Sequence, residues 1–293
     1  MTSFVRNILL MIGWVLVSDA EVIAVESVDV TFQTFRYTSA DRESPLERKY
    51  LLYLPEDLPS NAPLVFVLHG YRGDARDYMG ELGMNRQAAK HGFAVCFPQG
   101  SDDFEGISHW NARLRISKTN DIEFLSKLAL DLQKKHELNP KKTFVCGVSN
   151  GGFMSYALVA EKPGIFKAAA SVIGSMSGTS WKNRANYKPV PILQMTGLHD
   201  EVVPHDGSMS EGGGWGGAPE HEQIIKFWSD LADVKEEEVV ELTPKTTVRY
   251  HRGEGNGIEI WFYQIKGMGH VIPNEKNAGI DVSVELWRFF SRF

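Results

Sequence analysis

FVCGVSNGGF, residues 144–153, is the stretch whose reading decides the fold. An apolar run, Phe144-Val145-Cys146, breaks into glycines at 147, 151 and 152, with Ser149 set between them. Such a run reads as a buried strand ending at a sharp turn, and Phe153-Met154 onward reads as a helix. Two meanings compete. The serine is either a nucleophile held on a tight turn or a small residue that lets a strand and a helix pack closely. Gly-x-Ser-x-Gly alone does not separate them, because it arises by chance in roughly one protein in ten of this length. Its neighbours do.

Beyond residue 28 the chain alternates strand and helix signals. VDVTFQTFRY and RKYLLYLP form an opening antiparallel pair, and PLVFVLHG is a continuous apolar run, the mark of a strand covered on both faces. DARDYMGELGMNRQAAKHG is expected as one helix ended by Gly92, followed by the strand FAVCFPQG. Asn120 caps a helix with Glu123 three residues on, and Ile122, Leu125, Leu128 and Leu132 share its inward face. TFVCGVS is the next strand, and the helix after it is stopped by Pro163. KAAASVIG, PVPILQMTG and IEIWFYQIKG supply three more strands, and the apolar helix IDVSVELWRFFSRF closes the chain. The alternation predicts an α/β fold with a mostly parallel central sheet flanked by helices. A strand, a turn and a helix around Ser149 are the setting of a nucleophile elbow after the central strand, with the hydroxyl aimed from the sheet's C-terminal edge beside a helix N-terminus.

The bulk numbers bound the rest. A chain of 293 residues with 43% hydrophobic content can bury a large core, and a net charge of −6 offers no patch for nucleic acid. No repeat or linker divides it, so residues 28–293 are expected as a single catalytic domain. Residues 1–20 have the form of a secretory signal: one arginine, the apolar core ILLMIGWVLV, and Ser18-Asp19-Ala20 as a cleavage pattern after Ala20. A buried N-terminal helix is the competing reading. The core is too short to span a bilayer, which takes about 20 residues, and no later segment is apolar enough. Secretion is therefore expected, to a periplasm or outside the cell.

A serine becomes a nucleophile only when a base takes its proton and an acid orients the base. In a sheet of this kind the order along the chain is serine, acid, histidine, each on a loop after a strand. PVPILQMTG runs into Asp200, with Glu201 and Asp206 as other carboxylates nearby. IEIWFYQIKG runs into His270, the one histidine of nine that follows the last strand; His205 comes too early and His251 lies in a strand-like run. The loop His69-Gly70-Tyr71-Arg72-Gly73 follows PLVFVL, where one backbone donor for an oxyanion belongs, and the N–H of Asn150 is the other. A metal-dependent hydrolase built on His199, Asp200, His205 and Asp206 and a non-catalytic binding protein on a degenerate fold are the alternatives. The first matches no ligand spacing, and the intact Ser, Asp and His set argues against the second.

The blocks LHGYRGDARDY, FPQG, HWNA, NDIEFL, CGVSNGGFMSY, TGLHDEVVPHDG, GGGW, GMGHVIP and WRFFSRF resemble the polyhydroxybutyrate depolymerase and feruloyl esterase group of secreted α/β-hydrolases, over nearly everything from residue 64 onward. The resemblance implies an α/β-hydrolase fold and a catalytic triad of Ser149, Asp200 and His270. It also implies Tyr71 and Asn150 as oxyanion donors, and Trp110, Asn111 and Trp215 near the substrate. It implies cleavage of feruloyl, acetyl or hydroxyalkanoate oligomer esters through an acyl-enzyme, with depolymerisation of polymeric polyhydroxybutyrate or a related polyester as the alternative. No metal or cofactor is called for, and the partner is a small or oligomeric ester. Trp215 sits in EGGGWGG, read as a flexible loop that places an indole over the substrate. The chain is expected to close on its final helix at Phe293 without an adsorption module, and soluble esters to be cut faster than crystalline polymer. Two departures stand out: His109 replaces a cysteine before Trp-Asn, and Arg72-Gly73 replaces Gly-Gly. Cys96 and Cys146 fall on strands either side of PLVFVLHG, about 9–10 Å apart, and are expected as unpaired thiols.

Overall fold

The computed structural model describes residues 30–39, 44–253 and 257–293. The proposed signal, residues 1–20, lies outside the described residues. The strands are β1 (Gln33–Tyr37), β2 (Leu46–Tyr53), β3 (Leu64–Leu68), β4 (Ala94–Pro98), β5 (Ser101–Asp102), β6 (Ser108–His109), β7 (Thr143–Val148), β8 (Ala168–Val172), β9 (Ile192–Gly197), β10 (Glu236–Glu241), β11 (Thr246–Arg252) and β12 (Glu259–Ile265). The helices are α1 (Ala75–Leu82), α2 (Met84–His91), α3 (Asp121–Lys135), α4 (Asn150–Glu161), α5 (Gly178–Lys182), α6 (His221–Leu231) and α7 (Val282–Phe290).

Ten strands make one sheet in the order β1-β2-β4-β3-β7-β8-β9-β12-β11-β10, and β5 with β6 forms a small hairpin. The six from β4 to β12 run parallel, while both outer pairs are antiparallel. Every residue of β3 is buried because both faces are covered. Leu64, Phe66 and Leu68 meet a core shared with α3, α4 and α6, and Val65 and Val67 meet the core under α1, α2 and α7. Cys96 and Cys146 stand opposite Phe66 and Val67 on either side of β3 and join different cores. Both are free buried thiols, and burial raises the pKa of each.

Two expectations need correction. Residues 74–92 form two helices, not one, because Gly83 takes a left-handed conformation (φ +66°) that ends α1 and starts α2. Asp74 caps the first through the N–H of Arg76, and the left-handed Gly92 ends the second. The sheet is also longer than the sequence suggested: α6, β10 and β11 lie in the stretch between the glycine loop and the last strand. β10 reads EEEVVE and is largely exposed, with Glu238 paired to Arg252 at 2.6 Å. Its glutamates protect an open sheet edge, so it lacks the apolar run that marks a buried strand.

Candidate active site

The parallel order brings the C-terminal ends of β3, β7, β8, β9 and β12 to one edge. Ser149 follows β7 with φ +52° and ψ −115°, a conformation that a non-glycine residue keeps only when its surroundings enforce it. The constraint comes from close backbone packing. A Cβ on Gly147 would lie 2.3 Å from the carbonyl of Gly151, and one on Gly151 would lie 2.3 Å from the carbonyl oxygen of Leu68. A Cβ on Gly174, after β8, would lie 2.5 Å from the Ser149 oxygen. Only glycine fits at these three positions. The turn thereby points the Ser149 hydroxyl out of the sheet edge.

His270, on the loop after β12, places Nε2 2.8 Å from Ser149 Oγ. Its Nδ1 lies 2.7 Å from Oδ2 of Asp200, on the loop after β9. Asp200 is buried, and its Oδ1 accepts from the N–H groups of Val202 (2.9 Å) and Val203 (2.8 Å), which fix the carboxylate. Glu201, Asp206 and His199 stand exposed on the same loop, and neither Glu201 nor Asp206 takes the place of Asp200 against His270. With Asp200 committed to His270 and two backbone donors, the described residues hold no group of three or more histidines, cysteines or carboxylates suited to a metal.

The loop after β3 lies against Ser149, since a Cβ on Gly70 would be 3.6 Å from Ser149 Cβ. Among the described residues neither the N–H of Tyr71 nor that of Asn150, the first residue of α4, has a hydrogen-bond acceptor. The Tyr71 hydroxyl donates to Asp103 at 2.7 Å, and burial together with that carboxylate pushes its pKa up to about 12. His69 is buried, and desolvation pulls its pKa down to about 4. Its Nε2 accepts from the N–H of Gly100 (2.9 Å), so the proton sits on Nδ1 and is donated to the Gly70 carbonyl (2.7 Å). A neutral imidazole thus shapes the loop.

Trp110 and Asn111 depart from the substrate-contact role that the resemblance gave them. Trp110 is completely buried behind the loop, and neither residue lines the cavity at Ser149. The Asn150 side chain accepts from Trp110 N–H (2.7 Å) and donates to its carbonyl (3.0 Å), while the Trp110 indole donates to the His69 carbonyl (3.0 Å). Trp110 therefore ties the start of α4 to the loop after β3. Asn111 donates to the carbonyls of Thr119 and Ser117, and its N–H donates to Asp121, which pairs with Arg48 at 2.8 Å in a buried ion pair. His109 bridges the Ser101 carbonyl and Ser117 Oγ, each at 2.7 Å. Arg72 adopts φ +67°, a conformation that glycine takes without strain.

Trp215 does line the cavity, edge-on to Tyr71 with ring centroids 5.3 Å apart. The cavity is about 690 Å³, with Ser149 and His270 at one wall and Val202, Pro204, Met209 and Trp215 among the others. The glycine loop has a specified path: Gly213, Gly214, Gly216 and Gly217 all have positive φ. One element went unseen in the sequence. Tyr156, Gln194, Thr196 and His221 form a buried hydrogen-bonded chain behind β9, and the His221 N–H donates to the His205 carbonyl, on the loop after β9, at 2.9 Å. Burial pulls the pKa of His221 to about 4 as well.

The whole architecture matches acetyl xylan esterase from Aspergillus awamori with a TM-score of 0.66, over 90% of this chain and 100% of that one, at 16% identity. The chain has the α/β-hydrolase fold. The sequence pattern of the prolyl oligopeptidase family matches residues 85–187 of the chain, the part that contains the turn at Ser149. It is 25% identical over 259 residues to the bifunctional acetylxylan esterase/xylanase XynS20E of Neocallimastix patriciarum, covering 86% of this chain and 34% of that protein. It is 30% identical over 125 residues to poly(3-hydroxyalkanoate) depolymerase C of Paucimonas lemoignei, covering 42% of this chain and 30% of that protein. The chain thus spans about a third of the length of these two curated relatives. No helix among its described residues is long and apolar enough to cross a membrane.

Proposed function

We propose that the chain is a serine carboxylic-ester hydrolase. The observation that carries this reading is the relay from Ser149 Oγ through His270 to Asp200, at 2.8 and 2.7 Å, on an elbow flanked by two unengaged backbone N–H groups. Ser149 Oγ attacks the ester carbonyl as its proton passes to His270 Nε2, and Asp200 stabilises the imidazolium. The N–H groups of Tyr71 and Asn150 receive the negative charge that develops on the carbonyl oxygen. Collapse of the tetrahedral intermediate breaks the C–O bond, and the alcohol leaves with the proton from His270. Water then attacks the acyl-enzyme, giving its proton to His270, and the acid is released with Ser149 restored.

Feruloyl, acetyl and hydroxyalkanoate oligomer esters are the proposed substrates, and secretion the proposed destination. A cavity of about 690 Å³ with Trp215 in its wall suits an aromatic or short hydroxyacyl group. Likeness to a poly(3-hydroxyalkanoate) depolymerase supports a second reading, action on polymeric polyester. Initial rates on methyl ferulate, p-nitrophenyl butyrate, acetylated xylan, hydroxybutyrate oligomers and polyhydroxybutyrate granules separate the two. The proposal predicts a p-nitrophenol burst with soluble esters that Ser149→Ala abolishes. Turnover that survives Ser149→Ala would overturn it.

A further inference from the structure

The loop that carries Trp215 has two sides. Gly212 and Trp215 face the catalytic cavity, while Glu211, Gly214 and Gly216 line a second cavity of about 350 Å³. Its other walls are Arg115, Thr179, Lys182 and Asn183, so no apolar side chain lines it. The two cavities therefore share this loop as a wall. Its walls are held together by hydrogen bonds from Arg115 N–H to the Gly214 carbonyl (2.8 Å) and from Gly178 N–H to the Gly217 carbonyl (2.9 Å). A Cβ on Gly178 would lie 2.2 Å from the Gly216 oxygen, so the segments meet at backbone contact.

The charge around this cavity runs against that of the chain. ARLRISK (112–118) and SWKNRANYK (180–188) hold six lysines and arginines and no carboxylate, in a protein of net charge −6. Two of these cations are committed elsewhere. Arg113 pairs with Glu161, and Arg184 donates to the Trp181 carbonyl (2.7 Å) while stacking on its ring. Arg115 and Lys182 are not: their side chains have no hydrogen-bond, ion-pair or ring partner among the described residues. Glu211, the one acid in the lining, lies toward Gly217, whose added Cβ would sit 3.2 Å from Glu211 Cγ, and it too makes no ion pair among the described residues.

We propose that this second cavity binds a carboxylate carried by the substrate, so that an ester whose carrier bears a free carboxylate is cut in preference to its neutral counterpart. Arg115 and Lys182 supply the charge, and Thr179 and Asn183 supply neutral donors. The inference rests on the ester-hydrolase reading and names a substrate class for it. Two sources present this chemistry: the free end of a hydroxyalkanoate oligomer and a uronate on an acylated glycan. Without such a site the net negative charge of the protein disfavours an anionic substrate.

The test compares kcat/KM for a 3-hydroxybutyrate trimer with a free carboxylate and the same trimer as its methyl ester. A parallel arm compares acetylated xylo-oligosaccharides with and without a glucuronate branch. Two exposed ion pairs predict a preference for the acid of about fivefold, carried by KM and weakened by 0.5 M salt. The preference falls toward unity in Arg115→Ala/Lys182→Ala, returns in part with Arg115→Lys and rises in Glu211→Gln. The arm that shows it identifies the source. Equal or better turnover of the neutral substrates in both arms, or a preference that survives the double substitution, overturns the inference. If no ester is turned over, the ester-hydrolase reading fails. Calorimetric binding of the trimer acid to the Ser149→Ala protein, weakened or not by the double substitution, then decides the cavity on its own.

Discussion

Asn150→Ala removes a side chain and leaves the backbone N–H assigned to the oxyanion. The amide makes hydrogen bonds of 2.7 and 3.0 Å to the main chain of Trp110, and both residues are fully buried. Each Trp110 group left without a partner costs about 1–3 kcal/mol, so a stability loss of about 3 kcal/mol is expected. The catalytic effect is separate. Trp110 also holds the His69 carbonyl, so loosening it lets the Tyr71 and Asn150 donors drift apart. Complete removal of an oxyanion donor costs about 3–4 kcal/mol, and a displaced donor loses part of that, about 1–2 kcal/mol, or roughly 5–30-fold in kcat. Because the loss is confined to the transition state, KM is expected to stay within about twofold. Steady-state kinetics on p-nitrophenyl butyrate, inhibition by a boronic acid and urea unfolding measure all three quantities. Inhibition by the boronic acid weakens in step with kcat. A destabilised protein with unchanged kcat and unchanged boronic acid affinity would show that the clamp serves the fold alone, and the reasoning would fail.

Three further outcomes are expected. His270→Ala lowers kcat by on the order of 10⁴-fold with the fold retained by circular dichroism; near-normal turnover would mean the base is another residue. Gly151→Ala drives a Cβ to 2.3 Å from the Leu68 oxygen and 2.7 Å from the His69 oxygen and lowers Tm sharply, whereas Gly164→Ala, with nothing within 4 Å, leaves it near the wild-type value. His69 and His221 have native pKa values depressed by burial to about 4. The unfolded chain therefore binds more protons than the native one between about pH 6.5 and 4, and stability present above that window is lost as pH falls through it. The loss is about 2–3 kcal/mol per histidine by pH 4.5, measured by urea unfolding at pH 7 and 4.5, and a flat profile would refute the buried neutral assignment.

The central sheet and the clustering of Ser149, His270 and Asp200 were legible because they depend on local patterns. A doubly covered strand must be apolar throughout, as LVFVL is, and a serine at φ +52° needs small neighbours, which Gly147 and Gly151 announce. Asp200 and His270 were found by position after their strands. What was missed depends on contacts distant in sequence. Nothing in HWNA tells whether Trp110 faces substrate or the Asn150 amide 40 residues later. An edge strand such as EEEVVE carries charge where a buried one carries valine, so periodicity does not find it. The break at Gly83 follows from one left-handed residue within a helical pattern. The polar chain from Tyr156 to His221 joins three elements that no sequence motif links.

The central claim is that Ser149 is a nucleophile activated by His270. Mass spectrometry of the intact protein and its peptides after treatment with a fluorophosphonate tests it most directly. The account predicts one label per chain, on the peptide containing Ser149, lost in Ser149→Ala and strongly slowed in His270→Ala. No label on the folded wild-type protein, or a label on another residue that persists in Ser149→Ala, would contradict it.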